Sequence, residues 1–460
     1  LQTFLSKYLG WMIILLANGF LIFSIILVFT KYRDVKLGGP DANPSYSYTN
    51  WIAMLFSAGL GIGLLFYGVA EPIMHLNSYP GMIDGNISYN AGKAIGLANL
   101  HWGLHGWAIY SSLGLCFAYA TYNKNLPFRV SSLLGPKISS NKVFAVTIDV
   151  IAILTTVFGV TTSLGLGTVQ ISAGLGHVFG ITETFSNQIL IIMFITLIGL
   201  ISVSLGLDSG IKKLSQINMI LAVSLLLLIF VLGPTIFIIN ALIQNFGAYI
   251  NTLLQSATWT EVYSDSSWQN GWTLFYYSWW FAWAPFVSLF IARISYGRSI
   301  KEFIIGVLFV PSIIVFIWMG VFGNAAIYQV INETSQISEM VSNNLPVALF
   351  TLFDVYPMAQ VLSILSLVLI VTFFVTSSDS GALVASMLSS KNQSNINDDS
   401  PMTSRVTWAI LLGILAAVLL YAGGLTALQT SVVITGVPFA LIVVFACRQF
   451  YLSLSNELDN

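Results

Sequence analysis

Charge is what this chain has least of. Only 8% of its 460 residues are Asp, Glu, Lys or Arg, against roughly 25% in a soluble domain, while 56% are hydrophobic and the mean hydropathy is +0.84. That balance excludes a water-soluble globular protein. A net charge of −1 with no basic run excludes the electrostatic footprint of nucleic-acid binding. Two cysteines, Cys116 and Cys447, each inside an apolar run, exclude a disulfide framework and a thiolate metal cluster. The histidines are few and scattered: His75, His101, His105 and His177. His101 and His105 stand at i, i+4, yet the sequence supplies no further ligands beside them, so no metal centre is expected. HExxH, Walker-type and nucleophile-elbow patterns are all missing, and with them the case for an enzyme. No cofactor is expected either.

What the chain does have is apolar runs long enough to span a bilayer, which takes about 20 residues. Eleven are read, at 11–30, 50–70, 97–121, 143–177, 188–206, 216–239, 271–292, 303–327, 357–389, 405–422 and 428–450. The runs at 143–177 and 357–389 are long enough to tilt, bend or project from the membrane. All of the 17 Lys and Arg except Lys7 and Lys93 fall in alternate connections or at the C-terminal end, on one side of the membrane. Glu71, Asp84, Glu183, Glu261, Asp265, Glu333 and Glu339 are assigned to the other connections. The positive-inside rule makes the basic side cytoplasmic. A multi-pass protein of the plasma (inner) membrane with a cytoplasmic C-terminus is expected. The N-terminus then lies outside, and a start at Leu1 without a signal-peptide charge pattern reads as a chain lacking an initial span.

No soluble domain interrupts these runs. The chain divides into a peripheral span and cytoplasmic loop at 1–49, five spans at 50–239, an extracellular loop at 240–270, five spans at 271–450 and a short cytoplasmic tail at 451–460. Within the loop, residues 241–250 form an apolar-periodic stretch, readable as an interfacial helix or as an ordinary ordered loop. Each five-span set opens on a helix carrying a breaker. In the first it is the glycine cluster Gly59, Gly61, Gly63 and Gly68; in the second it is Pro285. Paired interrupted helices in two halves point to a transporter of inverted repeats with its substrate at the midplane. An odd number of spans per set makes the two run oppositely.

Three clusters can carry chemistry. The glycines of 57–72 bare backbone for an ion or substrate, or else pack helices closely, Gly59 and Gly63 being a small-xxx-small pair. Between Trp272 and Phe286 stand four tryptophans, two tyrosines and three phenylalanines. An interfacial belt accounts for one or two such rings but not for Trp279, Trp280 and Trp283 in mid-span. Clustered aromatic faces in a dry pocket attract organic cations, quaternary ammonium above all. His101-Trp102-Gly-Leu-His105-Gly-Trp107-Ala-Ile-Tyr110 adds further rings, although in a regular helix Trp102 lies about 140° from Trp107 and bending is needed to bring both to one ligand. Thr376-Ser377-Ser378-Asp379-Ser380 places five polar side chains inside an apolar span. Such hydroxyls either bond their own helix carbonyls or coordinate a hard monovalent cation such as sodium, with Asp379 a functional or paired acid.

These residues resemble the betaine/choline/carnitine transporter family over essentially the whole chain. The matching segments run Met54–Pro72, His101–Tyr110, Trp272–Arg298 and Phe374–Ser380, in order. The resemblance implies an all-α polytopic fold with a LeuT-type core of two inverted five-helix repeats, the family's first helix being absent here, and a homotrimer as a possible assembly. It implies that Trp279, Trp280 and Trp283 box a trimethylammonium group. Trp102, Trp107 and Tyr110 would line the site or its approach, with Gly59, Gly61 and Gly63 supplying backbone. It implies a sodium site at Ser57, Leu60, Phe373, Thr376 and Ser377. A second site at Thr156 and Phe286 is doubtful, because Val160 stands where some sodium-coupled members carry Thr. Gly63 stands where proton-coupled choline members carry Asp, which favours a zwitterion that brings its own carboxylate. The expected function is sodium-coupled uptake of glycine betaine by alternating access. Alternatives are a choline or carnitine carrier, proton-coupled or a sodium-independent exchanger, and a ligand-binding membrane sensor.

Overall fold

The computed structural model of the chain describes residues 2–59, 61–205, 212–264, 267–390 and 400–458, with backbone only at 56–59, 203–205, 212 and 457–458. Among the described residues the chain is helical throughout, and its one β-type pairing is an isolated bridge between Lys36 and Ser299. Among the described residues, nine helices are long and apolar enough to cross a membrane. This is an all-α, multi-pass membrane protein.

Helix α1 (Gln2–Phe29) precedes a helix pair α2 (Tyr48–Gly59) and α3 (Ile62–Ser78). Next come α4 (Ile87–Trp102), α5 (Leu104–Tyr122), α6 (Lys142–Phe179), α7 (Phe185–Leu205), α8 (Lys212–Leu232) and α9 (Thr235–Ala257). The second half holds α10 (Thr273–Ile294), α11 (Ile300–Ile331), α12 (Ala359–Ser389) and α13 (Met402–Leu458). Local signals set several ends. The Asn141 side chain accepts from the N–H groups of Val143 and Phe144 to start α6, and left-handed Gly180 ends it. Ser299 and Glu302 form a capping box that opens α11.

The packing is reciprocal between the halves. Helix α10 lies on α5 as α3 lies on α11, and α6 packs on α13 as α12 packs on α7 and α8. Helices α3, α6, α10 and α12 meet at the centre.

The long spans expected at 143–177 and 357–389 are helices of 38 and 31 residues. Several boundaries differ from the sequence expectation. The run at 50–70 is two short helices, because the chain is extended at Gly61 (φ −147°, ψ −175°). The run at 97–121 begins at Ile87 and breaks at Gly103. Helix α9 is 23 residues long rather than a loop with a short helical piece. One of its faces packs on α4 and α11, while Ile236, Ile239, Ile243, Phe246, Ile250 and Leu254 line the exposed face. The runs at 405–422 and 428–450 are two arms of α13, joined at the non-helical Gly423 and Gly424, and the expected tail at 451–460 continues that helix to Leu458. Helix α10 runs unbroken through Pro285, since a proline removes one helical hydrogen bond without requiring a stop. The interruption falls instead at Trp272, between the turn Trp268–Gly271 and α10.

Candidate functional site

Where α3, α4, α5, α6 and α10 converge, a cavity of about 50 Å³ is lined by Gly61, Ile62, Gly63, Trp102, Tyr110, Ser163, Trp279, Trp280 and Trp283. That is several times the ~10–15 Å³ a single water requires. The sequence expectation named seven of these residues. Trp102 ends α4 and Tyr110 stands on α5, across the break at Gly103, and both face this space. Trp280 is the hinge of the cage. Its ring lies 6.2 Å from Trp102, 5.8 Å from Trp107 and 4.8 Å from Tyr110. Trp107 therefore backs the wall rather than lining it. Trp102 and Trp279 meet edge to face at 5.8 Å.

The rings are held by their polar edges. Trp280 Nε1 donates to the His101 carbonyl at 2.8 Å, and Trp283 Nε1 to the Gly159 carbonyl at 2.8 Å. Two glycines are demanded by close approach. A Cβ at Gly63 would lie 2.4 Å from the Trp102 ring, and one at Gly106 would lie 2.2 Å from Trp280. Two buried donors at the cavity have no partner in the protein: Trp279 Nε1 and Ser163 Oγ. Ser163 was not anticipated, because one serine in an apolar helix is usually a packing residue. Among the described residues, no Lys or Arg lies over the rings of the cage; the cation–π pairs all sit elsewhere.

Beside the cage lies a polar knot that the sequence concealed. Glu71, assigned above to a connection, is fully buried in α3. Its Oε1 meets His101 Nδ1 at 2.6 Å and His75 Nε2 at 3.0 Å, and its Oε2 accepts from Trp102 Nε1 at 2.7 Å and the Tyr276 hydroxyl at 2.5 Å. His101 continues the chain to Thr273 Oγ1 at 2.9 Å. One carboxylate thus ties α3, α4 and α10 together, and a buried acid with all its lone pairs engaged is well placed to do so. His101 and His105, adjacent on a regular helix, are parted by the Gly103 break, and His105 Nε2 meets Asn18 Oδ1 at 3.2 Å instead. Lys93, also assigned to a connection, is buried in α4 and donates to Ser256 Oγ at 2.8 Å.

The whole chain, residues 1–459, matches the family model described as BCCT, betaine/carnitine/choline family transporter. The chain belongs to this transporter family. Relatives include the glycine betaine transporter OpuD of Bacillus subtilis, 40% identical over 99% of this chain and 88% of its own length. A glycine betaine/proline/choline transporter of Vibrio parahaemolyticus is 39% identical over 99% of this chain and 85% of its own. An uncharacterized transporter of Mycobacterium tuberculosis is 42% identical over 97% and 76%. Among solved structures, a Na+-coupled sialic acid symporter overlaps 95% of this chain and 86% of its own at 15% identity, with a TM-score of 0.49.

Membership in the BCCT family makes the chain a transporter. It also gives the hydroxyl cluster of α12 a context. Thr376 Oγ1 donates to the Thr372 and Phe373 carbonyls of its own helix at 3.2 and 3.1 Å, the back-bonding alternative the sequence left open. Asn218 of α8 donates to Thr376 Oγ1 at 3.1 Å, a contact between helices 158 residues apart that no local motif announces. Ser377 is buried on the same turn. Leu60 and the Ser57 side chain, also named in the sequence expectation, lie outside the described residues, while Gly59 is the last residue of α2. At the doubtful second site, the Thr156 hydroxyl is buried without a partner and Phe286 is buried on α10. Val160, one turn on, fills the space against Gly381 of α12, where a Cβ would come within 2.7 Å of its methyl.

Proposed function

We propose that this transporter imports a quaternary-ammonium compatible solute, most favourably glycine betaine, driven by sodium. One observation carries the reading: an aromatic cage of Trp102, Tyr110, Trp279, Trp280 and Trp283 with, among the described residues, no cation of the protein inside it, and with the unpartnered donors Trp279 Nε1 and Ser163 Oγ on its wall. The aromatic faces suit a trimethylammonium group, which has no N–H to donate and offers only diffuse positive charge. The two donors, with the extended amides near Gly61, suit the carboxylate of a zwitterion. Phe373, Thr376 and Ser377 supply oxygen for a sodium ion one helix away, completed by Ser57 and Leu60. Thr156 and Phe286 stay outside the coupling scheme.

Reciprocal packing of the two halves supports reading 50–239 and 271–450 as inverted repeats that rock around the cage. With the basic connections cytoplasmic, the C-terminus lies inside and α9 lies along the outer face; a membrane crossing by α9 would invert every later connection. The protein then sits in the plasma membrane, where a homotrimer is a further expectation.

Choline transport is the second reading, favoured by the name of the Vibrio relative. Gly63 weighs against it. A carboxylate-bearing side chain there would drive its Cβ into the Trp102 ring, so this cage has no room for a fixed anion at that wall. Uptake of labelled betaine, choline and carnitine into proteoliposomes, with sodium exchanged for potassium, tests the proposal. Betaine uptake that collapses in potassium supports it. Choline uptake at equal rates in both media refutes it.

A further inference from the structure

Cys116 of α5 and Cys447 of α13 stand 331 residues apart in separate apolar runs, yet the fold sets their sulfurs side by side, Cys116 Sγ donating to Cys447 Sγ at 3.8 Å. Both thiols are reduced. One turn on along each helix, the Tyr119 and Phe450 rings meet edge to face at 5.3 Å, and the Tyr119 hydroxyl donates to the Ser453 carbonyl at 3.4 Å. Residue numbers rise together on the two sides, so the helices run parallel here and hold the thiols opposite one another.

Burial usually makes a cysteine inert, because a buried thiol meets no oxidant. Cys116 is an exception by position. It lies on the wall of a cavity of about 1390 Å³ bounded by the C-terminal parts of α5 and α13, the segment 129–140 and the start of α6. Exposed Lys124 and Lys142 on the same wall show that the cavity opens to the surface. With Arg129 they also make it electropositive, while Asp149 on that wall accepts from the N–H and the hydroxyl of Ser131. A positive setting favours the thiolate, which is the form that reacts.

We propose that Cys116 and Cys447 are an oxidation site, closed by a peroxide into a disulfide that joins the two halves of the transporter and arrests transport. The arrest rests on the reading of 50–239 and 271–450 as halves that rock, since one thiol belongs to each; the disulfide itself does not. The Cys116 sulfur attacks one peroxide oxygen, the O–O bond breaks, and a sulfenic acid and one water form. The Cys447 sulfur then attacks the Cys116 sulfur, the S–O bond breaks, the S–S bond forms and a second water leaves. Two thiols and one peroxide become one disulfide and two waters, the two electrons passing from sulfur to oxygen. The sulfurs close from 3.8 Å to the ~2.05 Å of a disulfide, a short step for side chains already in contact. A dithiol reductant reopens the bond by exchange, so the modification is reversible.

Proteoliposomes carrying the full chain, treated with hydrogen peroxide, test this by three readouts. These are free thiols, counted by maleimide–polyethylene glycol labelling after denaturation; linked peptides, found by mass spectrometry; and uptake of labelled betaine. The two thiols should disappear together, with a peptide pair joined through Cys116 and Cys447 and lighter by two hydrogens than its separate halves. Uptake should fall in step with the thiols, and dithiothreitol should restore both. Cys447→Ala should stop at a Cys116 sulfenic acid that dimedone traps. It and Cys116→Ala should keep their uptake at the peroxide dose that arrests the wild type, and both retain all 11 methionines, so they control for methionine oxidation. The thiol count and the linked peptide are read on the wild type and stand even if a variant does not fold. Two free thiols after peroxide, a sulfenic acid in the wild type without the linked peptide, or a linked protein that transports as before would overturn the proposal. Absence of betaine uptake before oxidation, with the linked peptide forming as expected, would strike at the transport reading alone.

Discussion

Replacing Trp280 by leucine keeps an apolar side chain in the cage and removes one aromatic face and one indole N–H. Trp280 touches Trp102, Trp107 and Tyr110 and anchors to the His101 carbonyl, so it is the ring on which the others close. A desolvated cation–π contact contributes about 2 kcal/mol. At 1.4 kcal/mol per decade, its loss weakens betaine binding about 30-fold. A neutral isostere with a tert-butyl group in place of trimethylammonium separates charge from shape. Wild-type protein should prefer betaine over that isostere by at least about 30-fold, since several rings contribute. In Trp280→Leu the preference should shrink by about 30-fold, while the isostere itself loses little. Competition against labelled betaine in proteoliposomes reads both numbers, with surface expression or the amount reconstituted as the control for folding. Equal affinity for betaine and isostere in the wild type would refute the cation–π reasoning, as would a preference unchanged by the substitution.

Other expectations follow from the same geometry. Gly63→Ala should reduce betaine affinity more than tenfold without conferring choline coupling, because its Cβ meets the Trp102 ring; uptake kinetics check this. Thr376→Ala combined with Ser377→Ala should sharply weaken sodium activation. Asn218→Ala, by removing the amide that holds the Thr376 hydroxyl in place, should raise the half-saturating sodium about fivefold, the effect of roughly 1 kcal/mol. Glu71→Gln removes the charge and turns one of the two acceptor oxygens shared by Trp102, Tyr276 and two histidines into a donor, and should destabilise the protein by about 3–5 kcal/mol, the cost of breaking a buried charged network. An unchanged melting temperature for the purified variant would mean that the knot holds nothing in place.

Much of the site was legible in the sequence because its signals are local. Glycines crowded into an apolar run, tryptophans too deep for a belt and hydroxyls packed into a span each stand out within a dozen residues. What escaped depends on long-range geometry. Pro285 looked like the breaker of its helix, yet the chain absorbs it and bends at Trp272 instead. The break at Gly103 is one glycine among 37, and no local signal marks it as the place where the run at 97–121 divides. Glu71 sits where a run of apolar residues ends, so hydropathy assigned it to a connection. Its four partners come from α3, α4 and α10, and no periodicity along α3 reveals that a carboxylate there is fully enclosed.

The most direct test is an experimental density map of the protein with glycine betaine and sodium bound. The trimethylammonium group should be enclosed by Trp102, Tyr110, Trp279, Trp280 and Trp283, with the betaine carboxylate toward Ser163 and the extended backbone at Gly61. Betaine density anywhere outside those rings, with the cage closed and empty, would contradict that placement.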